Sequence, residues 1–202
     1  GGVMYSEVAW DKPQKWHLGL SSEKATILER SIAIVFFAGL TAIGAQLYFK
    51  APWNPDVPYT FQTFTIFATG AYLRRNDAFM SASLYLLVGA IGYPVFAGGN
   101  AGLFDGGSLI ASGGYLLAFP FAAALIAEGL DRSRKASKAD VKAQVICWSL
   151  AMIPIYLFGT VWLSTFIGME AAFIHGTLDF IFWDAFKIFL MALVTTYVWS
   201  YE

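Results

Sequence analysis

The segment from Asp179 to Leu193 reads DFIFWDAFKIFLMAL. It is apolar enough for a membrane interior, yet it contains a carboxylate, Asp184, and an ammonium group, Lys187. Lys187 lies about ten residues into a helix predicted over 177–199, which places it about 15 Å from the helix start, near the bilayer midplane. A lone lysine at that depth costs roughly 2.5 to 3.5 kcal/mol on insertion scales. Asp184, three residues earlier on nearly the same helix face, can offset part of this cost by pairing.

Two explanations account for this pair. It can be a self-satisfied ion pair that faces the inside of a helix bundle. A buried ion pair is rarely more stable than apolar side chains of similar volume, so stability alone gives no reason for the chain to contain one. We favour the second explanation, a polar anchor for a ligand that has both hydrogen-bond donors and acceptors.

The composition around the pair indicates an integral membrane protein. Of 202 residues, 57% are hydrophobic and 13% are charged, whereas soluble domains have about 25% charged residues. The net charge of −1, without a basic stripe, argues against a nucleic-acid partner. Cys147 is the single cysteine, which excludes an intrachain disulfide, and His17 and His175 lack the spacing of metal ligands. We therefore predict no catalytic residue, no metal site and no enzyme activity.

Apolar runs predict an all-α membrane protein with six transmembrane helices in one compact bundle. Each run is close to the length that a membrane helix needs. The predicted helices cover residues 27–49, 60–73, 78–93, 108–129, 142–166 and 177–199. The second is short, which suggests a tilted or partly protein-covered element. Residues 1–26 are predicted to form a hydrated extension, in which Trp10 and Trp16 suggest docking on a membrane surface or a partner, and residues 27–202 form the transmembrane domain.

The positive charges predict the orientation of these helices. With six spans, eleven of the thirteen Lys and Arg residues fall on one side: Lys12, Lys15, Lys24, Arg30, Arg74, Arg75, Arg132, Arg134, Lys135, Lys138 and Lys142. The other side has only Lys50. Because Lys and Arg concentrate in short cytoplasmic loops, both termini are predicted to face the cytoplasm, or the equivalent stroma or matrix.

Two residues from other helices are candidates to converge on the buried pair. Gln62 lies near the start of the second predicted helix, where an interhelical hydrogen bond explains it equally well. Tyr115 follows Gly113 and Gly114, whose missing side chains allow close backbone approach. An interfacial aromatic role is almost as well supported for Tyr115.

Two further candidates are supported more weakly. Trp162, in the sequence GTVWL, is a candidate for stacking on a ligand or an ordinary helix aromatic. Asn100 lies in the loop AGGNAG at 97–102, whose glycines can expose backbone N–H groups to a ligand. A plain re-entry turn explains that loop better. In the first helix, Ala38 and Ala42 form a small-xxx-small step, which permits close approach of another helix and is most often an intramolecular packing seam.

Five segments in order resemble the BioY family of biotin transporters, the substrate-binding S components of energy-coupling-factor (ECF) transporters. They are FAGLTAIGAQL (37–47), VPYTFQTF (57–64), LYLLVGAIGYPVFAGG (84–99), SGGYLLAF (112–119) and WDAFK (183–187). The resemblance implies that Asp184 and Lys187 belong to the ligand pocket. It also implies that Ala38 and Ala42 lie on the surface that meets the transmembrane T component. The chain departs from the family pattern at IAS (110–112), where the family has G-P-T, and at YLRRNDAF (72–79).

The function implied by the resemblance is biotin uptake. Biotin has a neutral ureido ring, an apolar thiophane and a valerate carboxylate, which suit a buried Asp and Lys, a Gln and aromatic walls. The chain contains no phosphate loop of the G-x-x-x-x-G-K type, so the T component and two ATPase subunits would have to supply the energy. No cofactor is expected. The sequence is also compatible with a lipid or a pigment bound in the grooves between the helices.

A structural role is the alternative to biotin uptake. The extension, the aromatic content and the altered loops are also consistent with a BioY-like accessory subunit of a photosynthetic or respiratory supercomplex, with biotin binding weakened or lost. The expected location is the plasma membrane of a bacterium or an organellar (plastid) membrane, in contact with membrane lipid.

Overall fold

The structure, a computed structural model, describes residues 25–135 and 141–199, most of which are helical. The predicted extension over 1–26, including Trp10 and Trp16, lies outside the described residues except for its last two positions. The helices are α1 (Ile27–Gln46), α2 (Gln62–Tyr72), α3 (Arg75–Ala90), α4 (Gly113–Lys135), α5 (Val141–Ile167), the short α6 (Met169–Phe173) and α7 (Asp179–Trp199). Two antiparallel hairpins join them, β1 (Tyr48–Ala51) with β2 (Asn54–Thr60) and β3 (Phe104–Asp105) with β4 (Ser108–Leu109).

The first helix begins at the predicted residue because Thr26 caps it. The backbone N–H of Glu29 donates to the Thr26 hydroxyl oxygen at 3.2 Å, and the backbone N–H of Thr26 donates to the Glu29 carboxylate at 2.9 Å. This reciprocal arrangement is a capping box, which satisfies donors that a helix start leaves free. The other end differs from the prediction, since α1 stops at Gln46 rather than continuing to residue 49.

A hairpin replaces the last turn predicted for the first helix, so the all-α description is wrong in this detail. Tyr48 pairs with Thr60 and Phe49 with Tyr59, and a register shift follows before Ala51 pairs again. Three prolines lie in this hairpin, Pro52 in its turn and Pro55 and Pro58 in β2. They are tolerated because β2 pairs with β1 alone, and proline is compatible with an edge strand.

A second hairpin shortens the fourth predicted helix. Phe104 pairs with Leu109 and Asp105 with Ser108. The two residues between them, Gly106 and Gly107, have φ values of 57° and 83°, the left-handed conformation that the tightest hairpin turns require at both central positions. As a consequence α4 begins at Gly113 instead of residue 108.

The long helices are consistent with an integral membrane protein. Among the described residues, three helices are long and apolar enough to cross a membrane, namely Ile27–Gln46, Gly113–Ser133 and Lys142–Ile167. Large apolar side chains such as Phe36 and Leu157 are exposed on their outer faces. Apolar surface of this extent is typical of contact with lipid or protein partners rather than water. The short α2 is covered by the other helices, as predicted, since most of its side chains are buried.

A π-helical segment, Ile174–Leu178, joins α6 to α7. Such segments interrupt the α-helical hydrogen-bond pattern and often occur at functional sites. Here two backbone carbonyls of the segment accept side-chain hydrogen bonds from distant elements. The Asn54 amide donates to the carbonyl of His175 at 2.7 Å, and the Tyr115 hydroxyl donates to the carbonyl of Gly176 at 2.9 Å. The segment therefore joins β2 and α4 to the start of α7.

Close helix packing forms the core between α2 and α4. A Cβ atom added to Gly70 would lie 2.6 Å from the Cβ of Ile126 and 2.7 Å from the carbonyl oxygen of Ala123. Real Cβ atoms do not approach other atoms so closely, so the glycine is required for these two helices to touch. Gly39 on α1 differs, because no atom lies within 4 Å of a Cβ added there.

We expect Gly70→Ala to lower the melting temperature of the detergent-purified protein by roughly 3 to 10 °C, because the added methyl group overpacks the α2–α4 contact. Gly39→Ala is the matched control and should leave the melting temperature unchanged or slightly higher, since alanine favours a helix more than glycine does. Equal melting temperatures for the two variants would contradict the packing described.

Candidate functional site

The buried ion pair forms as predicted within α7. The Lys187 ammonium lies 2.7 Å from the Asp184 carboxylate, and the two residues are only 2% and 4% exposed. The helix places them three residues apart, on one face that points into the bundle. The structure thus contains two charges in an apolar interior, where each polar atom must have a partner.

Neighbouring elements supply those partners. The Lys187 ammonium donates to the Thr63 hydroxyl of α2 and, at 3.2 Å, to the backbone carbonyl of Thr60 in β2. Together with Asp184, these are three acceptors for the three N–H groups of a lysine. The Tyr156 hydroxyl of α5 donates to the second carboxylate oxygen of Asp184. A carboxylate accepts about four hydrogen bonds, so Asp184 keeps acceptor capacity that Lys187 lacks.

The pair lies in the wall of a cavity of about 780 Å³. That volume is within the range of small-molecule sites, roughly 300 to 1,000 Å³. Apolar side chains from α4 and α5 and from the loop after α3 supply much of the wall, among them Phe96, Leu116, Phe119, Met152 and Ile155. The polar lining residues include Thr60, Gln62, Thr63, Asn100, Tyr115, Tyr156, Asp184 and Lys187.

Five of the six residues predicted to bind a ligand line this one cavity: Gln62, Asn100, Tyr115, Asp184 and Lys187. The Gln62 amide donates to the Tyr85 hydroxyl at 2.5 Å, and that hydroxyl donates to the carbonyl of Val95. The Asn100 amide donates to the carbonyl of Ala97 within its own loop. The structure therefore brings these side chains together, and their ligand roles stay a prediction.

Trp162 is the exception, because it is not among the lining residues. Its indole N–H donates to the backbone carbonyl of Ile110 at 2.8 Å, and its ring meets Phe166 edge to face with the centroids 5.8 Å apart. Ile110 itself lines the cavity. Trp162 is thus placed to support the wall from behind rather than to stack on a ligand in it.

The two alanines predicted to meet a partner differ in their surroundings. Ala38 is 8% exposed and belongs to the hydrophobic core, and Ala42 is half-buried against that core. Packing within the chain therefore accounts for the small size of Ala38. The exposed face of α1 is instead formed by larger neighbours such as Val35, Phe36 and Ile43. The partner role of Ala38 and Ala42 stays a prediction.

Sequence analysis missed Tyr156 and Lys50 as cavity residues. In the sequence, Tyr156 is one of several aromatic residues in an apolar run. A hydroxyl at that depth needs a hydrogen-bond partner, which is the signal that could have identified it. Lys50 lines the cavity from β1. The predicted orientation counts it only as the positive charge on the other side of the membrane, because the hairpin that carries it was not predicted.

The β1–β2 hairpin covers one side of the cavity and is attached to the start of α7. Asn54 is fully buried at 0% exposure, and its side-chain oxygen accepts from the backbone N–H of Val57 at 3.2 Å while its amide reaches the π-helical segment. The Tyr59 hydroxyl donates to the carbonyl of Asp179 at 2.9 Å. The Trp183 indole donates to the carbonyl of Thr60 at 3.0 Å. These bonds hold the hairpin against the helix that carries the buried pair.

Comparison with known proteins agrees with this geometry. A family model described as "BioY family" matches residues 16–202. The chain belongs to the BioY family. It is 36% identical over 154 residues to a Pyrococcus horikoshii protein named "Probable biotin transporter BioY", with 76% of this chain and 86% of that protein covered. It is 30% identical over 162 residues to "Biotin transporter BioY" of Thermotoga maritima, covering 78% of this chain and 88% of that protein.

The fold is also similar to that of a transporter component whose crystal structure is known. The crystal structure of "the S-component for biotin from an ECF-type ABC transporter" superposes with a TM-score of 0.73 and 25% identity, covering 85% of this chain and 90% of that one. The resemblance seen in five sequence segments is therefore confirmed at the level of the family. BioY proteins are transporter components and not enzymes, in agreement with the prediction.

Breaking the buried pair should reveal how the charges depend on each other. We expect Lys187→Met alone to destabilise the protein by about 3 to 5 kcal/mol, because it leaves the Asp184 carboxylate buried without its counter-ion. The double variant Asp184→Leu/Lys187→Met removes both charges and should melt at the same temperature as Lys187→Met or higher. Thermal unfolding in one detergent compares them, and a double variant that melts below Lys187→Met would contradict the coupling.

Proposed function

We propose that this chain is the biotin-binding S component of an ECF-type transporter and works in biotin uptake. The observation that carries the proposal is the cavity with the Asp184–Lys187 pair, Tyr156 and Gln62 in its wall. Membership of the BioY family and the names of the relatives support biotin as the ligand.

The chemistry of the cavity suits the neutral ring end of biotin near the pair. The ureido ring offers N–H donors, and Asp184 has acceptor capacity left after Tyr156 and Lys187 are counted. The valerate carboxylate does not suit that position, since it would be a second anion beside Asp184. The apolar thiophane suits the walls around Leu116, Phe119 and Ile155. Binding would involve no chemical change of biotin.

The proposed partners are a transmembrane T component and two ATPase subunits, which would drive release of biotin on the cytoplasmic side. The chain itself has no phosphate loop. We place it in the plasma membrane of a prokaryote, because the relatives named above come from prokaryotes. Neither a plastid location nor the accessory-subunit alternative receives support from those relatives.

We further propose six membrane spans with both termini in the cytoplasm. In α1, Arg30 lies near the first residue, and the β1–β2 hairpin follows the last. A helix of that length spans about 30 Å. Arg30 and the β1–β2 hairpin, which covers one side of the cavity, therefore lie at opposite ends of α1. Arg30 belongs to the positively charged side, which supports a cavity that opens to the outside.

Equilibrium binding of labelled biotin to the detergent-purified protein tests the function. We expect saturable binding by the parent and a loss of at least roughly 100-fold in Asp184→Asn and Lys187→Met. In Asp184→Asn a ligand N–H group loses its charged acceptor, and in Lys187→Met the buried Asp184 carboxylate loses its counter-ion. Tyr156→Phe keeps the ring but lacks the hydroxyl and should lose less, about 10-fold.

Phe182→Leu is the matched control for these variants. Phe182 lies on the same helix, is 86% exposed and does not line the cavity, so biotin binding should be unchanged. Size-exclusion profiles and melting curves show which variants stay folded. A well-folded parent that does not bind biotin would overturn the proposed function.

Cysteine labelling in intact cells tests the topology. In a Cys147→Ala background, we expect Asp105→Cys to react with a membrane-impermeant maleimide from outside, because the cavity is proposed to open there. Asn76→Cys, in the first turn of α3 on the positively charged side, should react only after permeabilisation. Both positions are exposed, so access differs only by membrane side. The reverse pattern would contradict the proposed orientation.

A further inference from the structure

The first β-strand presents different faces to the cavity and to the outside of the bundle. Side chains alternate along a strand. Accordingly, Tyr48 and Lys50 line the cavity, whereas Phe49 between them stacks on Tyr59 with the ring centroids 4.9 Å apart. Lys50 lies at the register shift between Phe49 and Ala51. Bulges of this kind redirect a side chain and are frequent beside functional sites.

Among the described residues, two cationic side chains line the cavity, and they differ in burial and in the partners they already have. Lys187 is buried, pairs with Asp184 and already donates to Thr60 and Thr63. Lys50 is exposed and forms no ion pair with any side chain that the structure describes. An added anion would therefore compete with existing partners at Lys187 and only with water at Lys50.

The strand register also separates the two cations along the cavity. The Lys187 ammonium contacts the carbonyl of Thr60, and Thr60 is paired with Tyr48. Lys50 is two residues beyond Tyr48, which is about 7 Å along the strand, and its long side chain extends the reach. A ligand whose neutral end meets the buried pair can thus place a group at the end of a flexible chain beside Lys50.

We propose that Lys50 binds the carboxylate of the ligand at the mouth of the cavity and selects an anionic ligand over its neutral analogue. The inference rests on the proposed biotin-binding function and adds the residue that recognises the valerate end. Asp184 excludes that end from the buried pair by repulsion between like charges. Lys50 supplies the charge that the carboxylate needs in order to leave bulk water.

Asp105 is the group that opposes this assignment. It lines the cavity from β3 and is exposed, so the mouth contains one charge of each sign before a ligand binds. Its repulsion of the ligand carboxylate is screened by solvent and is weaker than a direct contact with Lys50. Asp105→Asn should therefore leave biotin binding unchanged or make it a few-fold tighter.

Binding of biotin and of biotin methyl ester to the full-length protein tests the proposal. The ester keeps the rings and the chain but lacks the negative charge. We expect the parent to bind biotin roughly 10-fold more tightly than the ester, and Lys50→Gln to lose about that factor for biotin while its ester affinity changes less than about 2-fold. Lys50→Arg keeps the charge and should retain most of the preference.

Lys142→Gln is the control for a general change of charge. Lys142 is at the start of α5 and does not line the cavity, so both affinities should be unchanged. Raising the salt concentration should weaken biotin binding in the parent more than in Lys50→Gln, because the charge contact is partly hydrated.

The outcomes separate this inference from the function on which it rests. If the parent binds biotin and Lys50→Gln binds it equally well, the Lys50 assignment is wrong and biotin binding stands. Equal losses for biotin and ester in Lys50→Gln would also overturn it, since they would indicate damage to the hairpin. A parent that binds neither compound overturns the proposed function itself.

Discussion

The ion pair between Asp184 and Lys187 is the constraint on which the site depends. Two charges in an apolar interior are stable only when each is paired and hydrogen-bonded. One helix cannot supply all those partners, so they come from Tyr156 on α5 and from Thr60 and Thr63 around the start of α2. Saturating the pair therefore holds three parts of the chain at fixed positions around one cavity. All three N–H groups of Lys187 have acceptors, whereas the Asp184 carboxylate can still accept a further hydrogen bond.

The β1–β2 hairpin couples this interior to the outside of the bundle. A two-stranded hairpin is barely stable in isolation, so it needs packing against other elements. Tyr59 provides it, stacked between Phe49 and Phe180, while Asn54 hydrogen-bonds to the π-helical segment. One face of β1 thus holds the hairpin in place and the other faces the cavity. Because the two faces are separate, Lys50 can line the cavity without disturbing the contacts that hold its strand.

Prediction from sequence succeeded for the long helices and failed for the hairpins, for one reason. A run of about twenty apolar residues specifies a membrane helix by itself, because the backbone satisfies its hydrogen bonds locally. A hairpin is specified by pairing between two segments, and the prolines before residue 60 obscured that pairing for β1 and β2. Gly106 and Gly107 are a turn signal for the second hairpin, but strands of two residues leave no alternating pattern beside them. Five of six candidate ligand residues line the cavity, whereas Trp162 lies behind its wall. Its side-chain direction depends on helix rotation, which the linear sequence does not contain.

By itself the sequence determined that this is a helical membrane protein, that a carboxylate and an ammonium group share one buried helix face, and that the chain resembles the BioY family. These properties depend on composition and on spacings of a few residues. Only the tertiary structure decided which other side chains meet the pair. Tyr156 is 28 residues from Asp184, and Thr63 and Thr60 are 124 and 127 residues from Lys187. Contacts over such separations follow from how helices rotate and how a hairpin pairs, and both are set by packing the whole chain.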